Sequence, residues 1–373
     1  MVWRKGPKVP TLSVALPCRA EADLNRMGTT ETPGSDEPMP LNRHHDQAGA
    51  ATRAVARRPI EELLTLACRA PSVHNSQPWL WRQKGDELEL FSDPSRQLVH
   101  TDPDGRDLVL SCGAALHHLQ VAARGLGWRA EVRRLPDPTN PRHLASIGFE
   151  PMVKEPGAVD EMLAISARQT DRRRFTSWPV PEERLTTLEA TGRKWGAQVI
   201  AITDELARDR LRRLTRRADE AQRDDDGYLA ELSAHIHDRP DGVSPTNLPK
   251  SADDPTVRFP AGDLEDPTRV SIGDPEGILL ICTSSDEVVS QLRAGEAMSA
   301  VWLKATMEGL CVVPLSQALE VEDTRRAVEG ELLDGRGFPQ IILRVGWPPV
   351  SGTALPPSKR RDLSEVLVRE TRR

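Results

Sequence analysis

Two guanidinium groups and a hydroxyl at alternate positions, Arg168-x-Thr170-x-Arg172, give the sharpest chemical signal in this chain. In an extended segment alternate residues point the same way. The three would then form a receptor for phosphate and for the polar edge of a ring. A second signal is Ala70-Pro71-Ser72-Val73-His74-Asn75-Ser76-Gln77-Pro78-Trp79. Ser72, Asn75, Ser76 and Gln77 can donate and accept hydrogen bonds in several directions without carrying charge, and Trp79 can close the apolar side. By itself this bend reads at least as well as a helix-to-strand turn, because Pro, Ser and Asn are turn formers. A third is Ser358-Lys359-Arg360-Arg361, which alone would be a surface charge cluster. Taken together they describe the needs of one ligand: a flat, hydrogen-bonding heterocycle that carries a phosphate.

These groups need a scaffold, and the apolar spacing supplies one. Ile60, Leu63, Leu64 and Ala67 make a helical stripe behind Pro59, with Glu61 and Glu62 in its first turn and Pro71 as its stop. Leu80–Arg82 and the alternating Glu87–Phe91 read as strands, Leu108–Gly125 as an amphipathic helix, and Glu131–Leu135 and Ala145–Phe149 as further strands. Beyond them, helices are expected over 160–167, 181–192, 205–222 and 295–308, and strands over 198–202, 278–282 and 339–345. The charge run of the 205–222 helix is most simply a solvated face.

Setting Gly113 on Gly295 pairs Ala115 with Ala297, Leu116 with Met298, Leu119 with Val301, Ala123 with Ala305 and Gly127 with Gly309. Each helix leads into a β-prone segment and then another strand. This predicts an α+β chain with two tandem repeats that imitate a two-fold dimer: a first half over 51–155 and a second over 156–373. Within the second half, about 224–275 is a proline-rich insertion expected to carry little regular structure, either disordered or a functional cover. Residues 1–50 lack periodicity and read as a disordered extension, with Met27 or Met39 as alternative starts.

Composition narrows the class. The chain has 373 residues, 38% hydrophobic and only 4% aromatic, with 31 prolines, so a sizeable part lies outside a packed core. A net charge of −6, with arginines interleaved among acids, offers no basic field for nucleic acid. No run reaches the apolar length of a membrane helix. Five scattered cysteines without a C-x-x-C pair argue for a reducing cytoplasm and against zinc or disulfides. Arg4, Lys5 and the short apolar run before Cys18 are broken by Pro17 and fail as a lipoprotein signal. Other motifs fail on geometry. Gly125-Leu126-Gly127 ends a helix and does not open one. Asp224-Asp225-Asp226-Gly227 lacks a calcium-loop spacing. His235-Ile236-His237 could set two ligands on a strand face but has no third and reads as a solvated loop. His117-His118 and His44-His45 read as core or surface histidines.

The motifs together resemble the FMN-dependent nitroreductase family. Ala70–Trp79 is similar to its P-S-x-x-N-x-Q-P-W element, Arg168–Arg172 to its R-x-S-x-K/R element, and Ser358–Arg361 to its C-terminal phosphate-binding tail. With both halves in one chain and Ala67-Cys68-Arg69-Ala70-Pro71-Ser72 intact, it resembles the Acg-type NAD(P)H nitroreductases over about 55–368. The resemblance implies a nitroreductase fold built as a pseudo-dimer, with Pro71, Ser72, Asn75 and Gln77 on the flavin from the first half. It implies Arg168, Thr170 and Arg172 on the phosphate and pyrimidine edge, Arg360 with Lys359 or Arg361 completing the phosphate site, and Pro314, Leu315 and Ser316 passing the isoalloxazine. It further implies NAD(P)H as reductant and nitroaromatics or quinones as acceptors, by ping-pong hydride transfer through flavin N5. No protein group is then catalytic and no metal is needed, since the cofactor carries the redox chemistry. The first half has no R-x-S-x-R copy, so one flavin per chain is expected, in a monomer or weak homodimer. The insertion resembles the Acg-type lid, which covers the flavin; the rival reading is a flavin-sequestering protein whose covered site is idle.

Overall fold

The helices form where the apolar spacing requires them. The computed structural model describes residues 59–237, 241–250, 259, 262–264, 276–350 and 354–369. The expected disorder of residues 1–50 lies outside the described residues. Helix α1 (Ile60–Ala67) follows Pro59 and buries Leu63, Leu64 and Ala67. Strands β1 (Trp79–Lys84) and β2 (Glu87–Ser92) form a hairpin from Trp79↔Ser92 to Lys84↔Glu87. Helix α2 (Arg106–Leu126) is buried on nearly every face and ends at Gly127, whose φ of 85° is left-handed. Strands β3 (Trp128–Arg134) and β4 (His143–Pro151) complete the first unit.

The second unit holds α3 (Ala158–Ala167), α4 (Glu182–Arg193), β5 (Gln198–Ala201), α5 (Glu205–Arg223) and α6 (Asp226–His237). It continues with β6 (Gly277–Thr283), α7 (Val288–Met307), β7 (Cys311–Pro314), α8 (Gln317–Glu320), α9 (Glu322–Leu333) and β8 (Phe338–Gly346). A tail carries α10 (Leu363–Val366) and β9 (Leu367–Arg369). Among the described residues there are two sheets, ordered β3-β4-β2-β1-β9 and β5-β6-β8-β7. Reading β1, β2, β4, β3 against β5, β6, β8, β7 gives one strand order twice, with α2 and α7 in equivalent places. The addition is β9, which pairs parallel to β1 through Trp81↔Leu367 and so places the tail on the first sheet.

The two long helices cross at the glycines the sequence aligns. A Cβ on Gly113 would stand 2.1 Å from the Leu292 carbonyl oxygen, and one on Gly295 would stand 2.0 Å from that of Leu110. No side chain fits between these backbones. Around the crossing, buried Glu296 accepts from Arg134 Nε (2.8 Å) and from Gln120 (2.7 Å). His117 shares a 2.9 Å bond with Ser299. Burial holds the pKa of both His117 and His118 well below the ordinary histidine value, so they are neutral core residues.

Two expectations need correction. The insertion is not without regular structure: α6 and a 3-10 turn at Pro245–Asn247 lie within it. His235 is on a helix, not a strand or solvated loop, and is buried. Tyr228, Leu232 and Ile236 recur at helical spacing and pack with Val243, Leu248 and Phe259. Among the described residues no helix is long and apolar enough to cross a membrane.

The helix crossing yields a paired test. Gly295→Ala is expected to cost about 3 kcal/mol by forcing two backbones apart. Gly330→Ala in α9, where a Cβ meets nothing within 4 Å, should stabilise by about 0.5–1 kcal/mol. Urea denaturation of the two variants beside the parent measures both.

Candidate functional site

The bend after α1 is held in a conformation that side chains usually avoid. His74 (φ 44°), Asn75 (φ 57°) and Gln77 (φ 50°) are all left-handed. Each costs of the order of 1 kcal/mol or more and persists only where contacts over-determine it. Those contacts are present. Ser72 Oγ accepts from the Gln77 amide at 3.0 Å, and Ser111 Oγ on α2 accepts from the Val73 amide at 3.1 Å. Asn75 donates to the carbonyls of Asp241 (2.6 Å) and Lys359 (3.0 Å), and its Oδ1 accepts from Arg360 at 2.7 Å. One amide thus joins the bend, the insertion and the tail.

The arginine segment is extended, as its alternation predicts. Thr170 bridges to Val312 of β7, and Arg168, Thr170 and Arg172 line the same cleft as Asn75. Between them Asp171 turns away and forms a buried pair with Arg173, at 2.7 and 2.8 Å. Arg168 lies 4.8 Å over the Trp302 ring and donates to the Arg69 carbonyl at 3.2 Å. Its Nε and Nη1 are buried without a hydrogen-bond partner. Arg360 reaches Asn75 and the Arg69 carbonyl (3.1 Å), and its Nε is likewise orphaned. Beside both is Arg69, whose own Nε has no partner.

Arg69, Arg168 and Arg360 meet with Gln169 and Ser358 at a recess whose lining, among the described residues, contains no carboxylate. Burial, then the neighbouring guanidiniums, lower Arg168 to about 9 and Arg360 to about 10. Three like charges, one buried and two half-buried, each with a buried donor unmet, make an arrangement that an anion relieves. The recess shares Arg168, Ser358 and Arg360 with a larger cleft enclosing about 1250 Å³ free of protein atoms, open solvent at its mouth included. Its apolar wall includes Leu110, Met298, Trp302, Pro314 and Leu315, and Asp107 is the one carboxylate in the described lining.

Of the residues singled out from sequence, the cleft gathers Pro71, Ser72, Asn75, Arg168, Thr170, Arg172, Pro314, Leu315, Ser316 and Arg360. It does not gather Gln77 or Lys359. Gln77 is fully buried behind the bend, and the Lys359 side chain is exposed, with only its carbonyl bonded to the site. Arg69 was missed, although it is the single charge beside an otherwise neutral bend. Ser111, Asp107 and Trp302 were missed because each sits inside a helix pattern that reads as core. From the insertion, Val243, Asn247 and Phe259 also line the cleft. Arg172 packs 4.9 Å from the Phe259 ring, which meets His74 edge-on at 5.3 Å. An Arg96–Asp241 ion pair and Glu231, which accepts from Thr101 at 2.9 Å, tie this insertion to the first unit.

No family model matches the chain. It is, however, 41% identical over 338 residues to Putative NAD(P)H nitroreductase Rv3131 of Mycobacterium tuberculosis, across 88% of this chain and 94% of that protein. The chain belongs to the Acg-type NAD(P)H nitroreductase family. A second member, Putative NAD(P)H nitroreductase acg of the same organism, is 35% identical over 320 residues, covering 83% of this chain and 95% of that one. Among solved structures, a nitroreductase with bound FMN from Bacteroides fragilis aligns over 52% of this chain and 91% of its own, at 13% identity and a TM-score of 0.36.

Two outcomes follow from the electrostatics of this family member. Inorganic phosphate at ten times its Kd should stabilise the protein by about 1.4 kcal/mol. Arg360→Met should remove most of that shift in a thermal melt. Separately, Asp102 caps α2 by accepting from the Asp107 (3.0 Å) and Leu108 (2.8 Å) amides. Burial first, then the Asp107 charge, push its carboxyl up to about 7. A group that ionises near 4 when unfolded and near 7 when folded favours folding while protonated. Stability should therefore fall as pH rises from about 4 to about 7, and Asp102→Asn should flatten that slope in denaturation curves taken across the range.

Proposed function

We propose that the cleft binds FMN and that the protein is an NAD(P)H-dependent oxidoreductase reducing nitroaromatics or quinones. The observation that carries this reading is the recess of buried, unsatisfied guanidinium N–H groups that shares Arg168, Ser358 and Arg360 with a cleft walled partly by apolar residues. A dianionic phosphate needs several donors: Arg69, Arg168 and Arg360 supply charged ones and Ser358 a neutral hydroxyl. Thr170 and Arg172 are assigned to the polar edge of the ring, where fixed positive charge favours electron-rich forms. Met298, Trp302, Pro314 and Leu315 would take its apolar body. FMN, when bound, supplies a two-electron relay between reductant and acceptor. The chain's own residues bind, orient and exclude water.

A second reading has its own support. Val243, Asn247 and Phe259 bring the insertion onto the cleft, and a cover that never lifts would make the protein a flavin store. The absorbance spectrum of the purified protein tests flavin binding, and NAD(P)H oxidation with a nitroaromatic or quinone tests turnover. Turnover in the intact protein supports the oxidoreductase. Flavin without turnover, with activity gained once 224–275 is shortened, favours storage. Arg172→Ala should remove charged hydrogen bonds worth about 1.5–3 kcal/mol and weaken FMN roughly 10–150-fold. Unchanged occupancy at limiting FMN would refute the role of Arg172.

A further inference from the structure

The side chain of Gln77 does not face the cleft, and its bonds show what it does instead. It is fully buried and left-handed at φ 50°. Its Oε1 accepts from the backbone N–H of Arg361 at 2.9 Å, and its carbonyl accepts from Arg361 Nη1 at 3.1 Å. Side chain and main chain of one residue therefore grip one residue of the C-terminal tail. The Arg361 guanidinium continues away from the cleft, toward Asp93 at 3.6 Å and Glu365 at 3.5 Å. Its neighbour Arg360 turns the other way, as adjacent residues of an extended segment do, and reaches Asn75 at 2.7 Å.

We propose that Gln77 is a positioning residue that fixes the register of the tail, so that Arg360 and not Lys359 or Arg361 enters the cleft. The tail has three consecutive basic residues, and a slip of one position would exchange which of them faces the anion recess. The β9 pairing cannot fix that register strongly, since it spans three residues on the edge of β1. A backbone N–H is common to every residue of the run, so Gln77 acts by holding two groups of one residue, the N–H on Oε1 and the guanidinium on its carbonyl. That guanidinium meets Glu365 four residues on, a pairing that is in register only for Arg361, and the left-handed backbone aims the Gln77 acceptor at it. The left-handed turn thus has a purpose in its own terms: it points a neutral amide at the element that brings in the charge.

This inference rests on the FMN reading only for its functional consequence, and two readouts keep them apart. The first is hydrogen exchange of the tail amides, 361–369, in ligand-free protein. Gln77→Leu deletes the acceptor, along with the Nε2 donor to the Asn75 and Asp241 carbonyls, and should speed exchange in the tail while the amides of α1 and β1 keep the parent rates. The second is FMN affinity by fluorescence titration. Gln77→Leu should weaken it about tenfold, the loss of one buried hydrogen bond. Arg361→Pro removes the same N–H from the tail's side, together with the guanidinium bonds to the Gln77 and Trp79 carbonyls, keeps the Gln77 side chain itself, and should reproduce the exchange of Gln77→Leu over 362–369 even if that variant folds poorly. Unchanged tail exchange in both Gln77→Leu and Arg361→Pro overturns the proposal. So does exchange in Gln77→Leu that speeds equally in α1, β1 and the tail, the result expected of a general loss of packing. A parent protein that takes up no FMN refutes the cofactor and leaves the exchange result to decide the role of Gln77.

Discussion

The contact of Gly113 with Gly295 sets the distance between the two central helices, and most of the molecule follows from that distance. Leu110 and Ser111 lie on α2 just before the crossing, and Met298 and Trp302 lie on α7 just after it. All four line the cleft, so the spacing that lets two backbones touch also fixes how far apart the walls stand. Any side chain at the crossing would widen the cleft before it reached solvent. Packing density and ligand geometry are here one constraint, because interiors are close-packed and transmit displacements instead of absorbing them.

Charge then breaks the symmetry that this crossing builds. The two sheets repeat a strand order, yet the guanidinium groups gather at one place. Arg168 and Arg172 come from the segment that follows α3, Arg360 from the tail and Arg69 from the end of α1. Their mutual repulsion under burial opposes the ligand-free fold. It is tolerated because neighbouring carbonyls take part of the donor load and because Trp302 lies beneath Arg168.

Most elements were legible because their apolar periodicity is strong: α1, α2 and most paired strands lie close to where the spacing puts them, while α7 begins at Val288, ahead of the expected 295. The Arg168-x-Thr170-x-Arg172 side was legible because strand alternation is a local rule that the bridge from Thr170 to Val312 preserves. What could not be read depended on distant partners. Gln77 looks like its neighbours in the bend, and only a contact 284 residues away separates its role from theirs. Lys359 and Arg360 are indistinguishable by charge, and the tail's register decides between them. Helix α6 was hidden by the prolines that follow it, although its own apolar residues recur at helical spacing. Arg69 gave a signal in its charge, but a lone arginine gains meaning only when two others are seen beside it.

The tail that closes the recess lies 285 residues after the amide it meets. A growing polypeptide therefore carries its left-handed bend long before Arg360 leaves the ribosome. Until then Asn75 lacks that partner, and the recess lacks one of its three cations. A nascent chain stalled before Arg360 has neither the complete recess nor the bond that ties the bend to the tail.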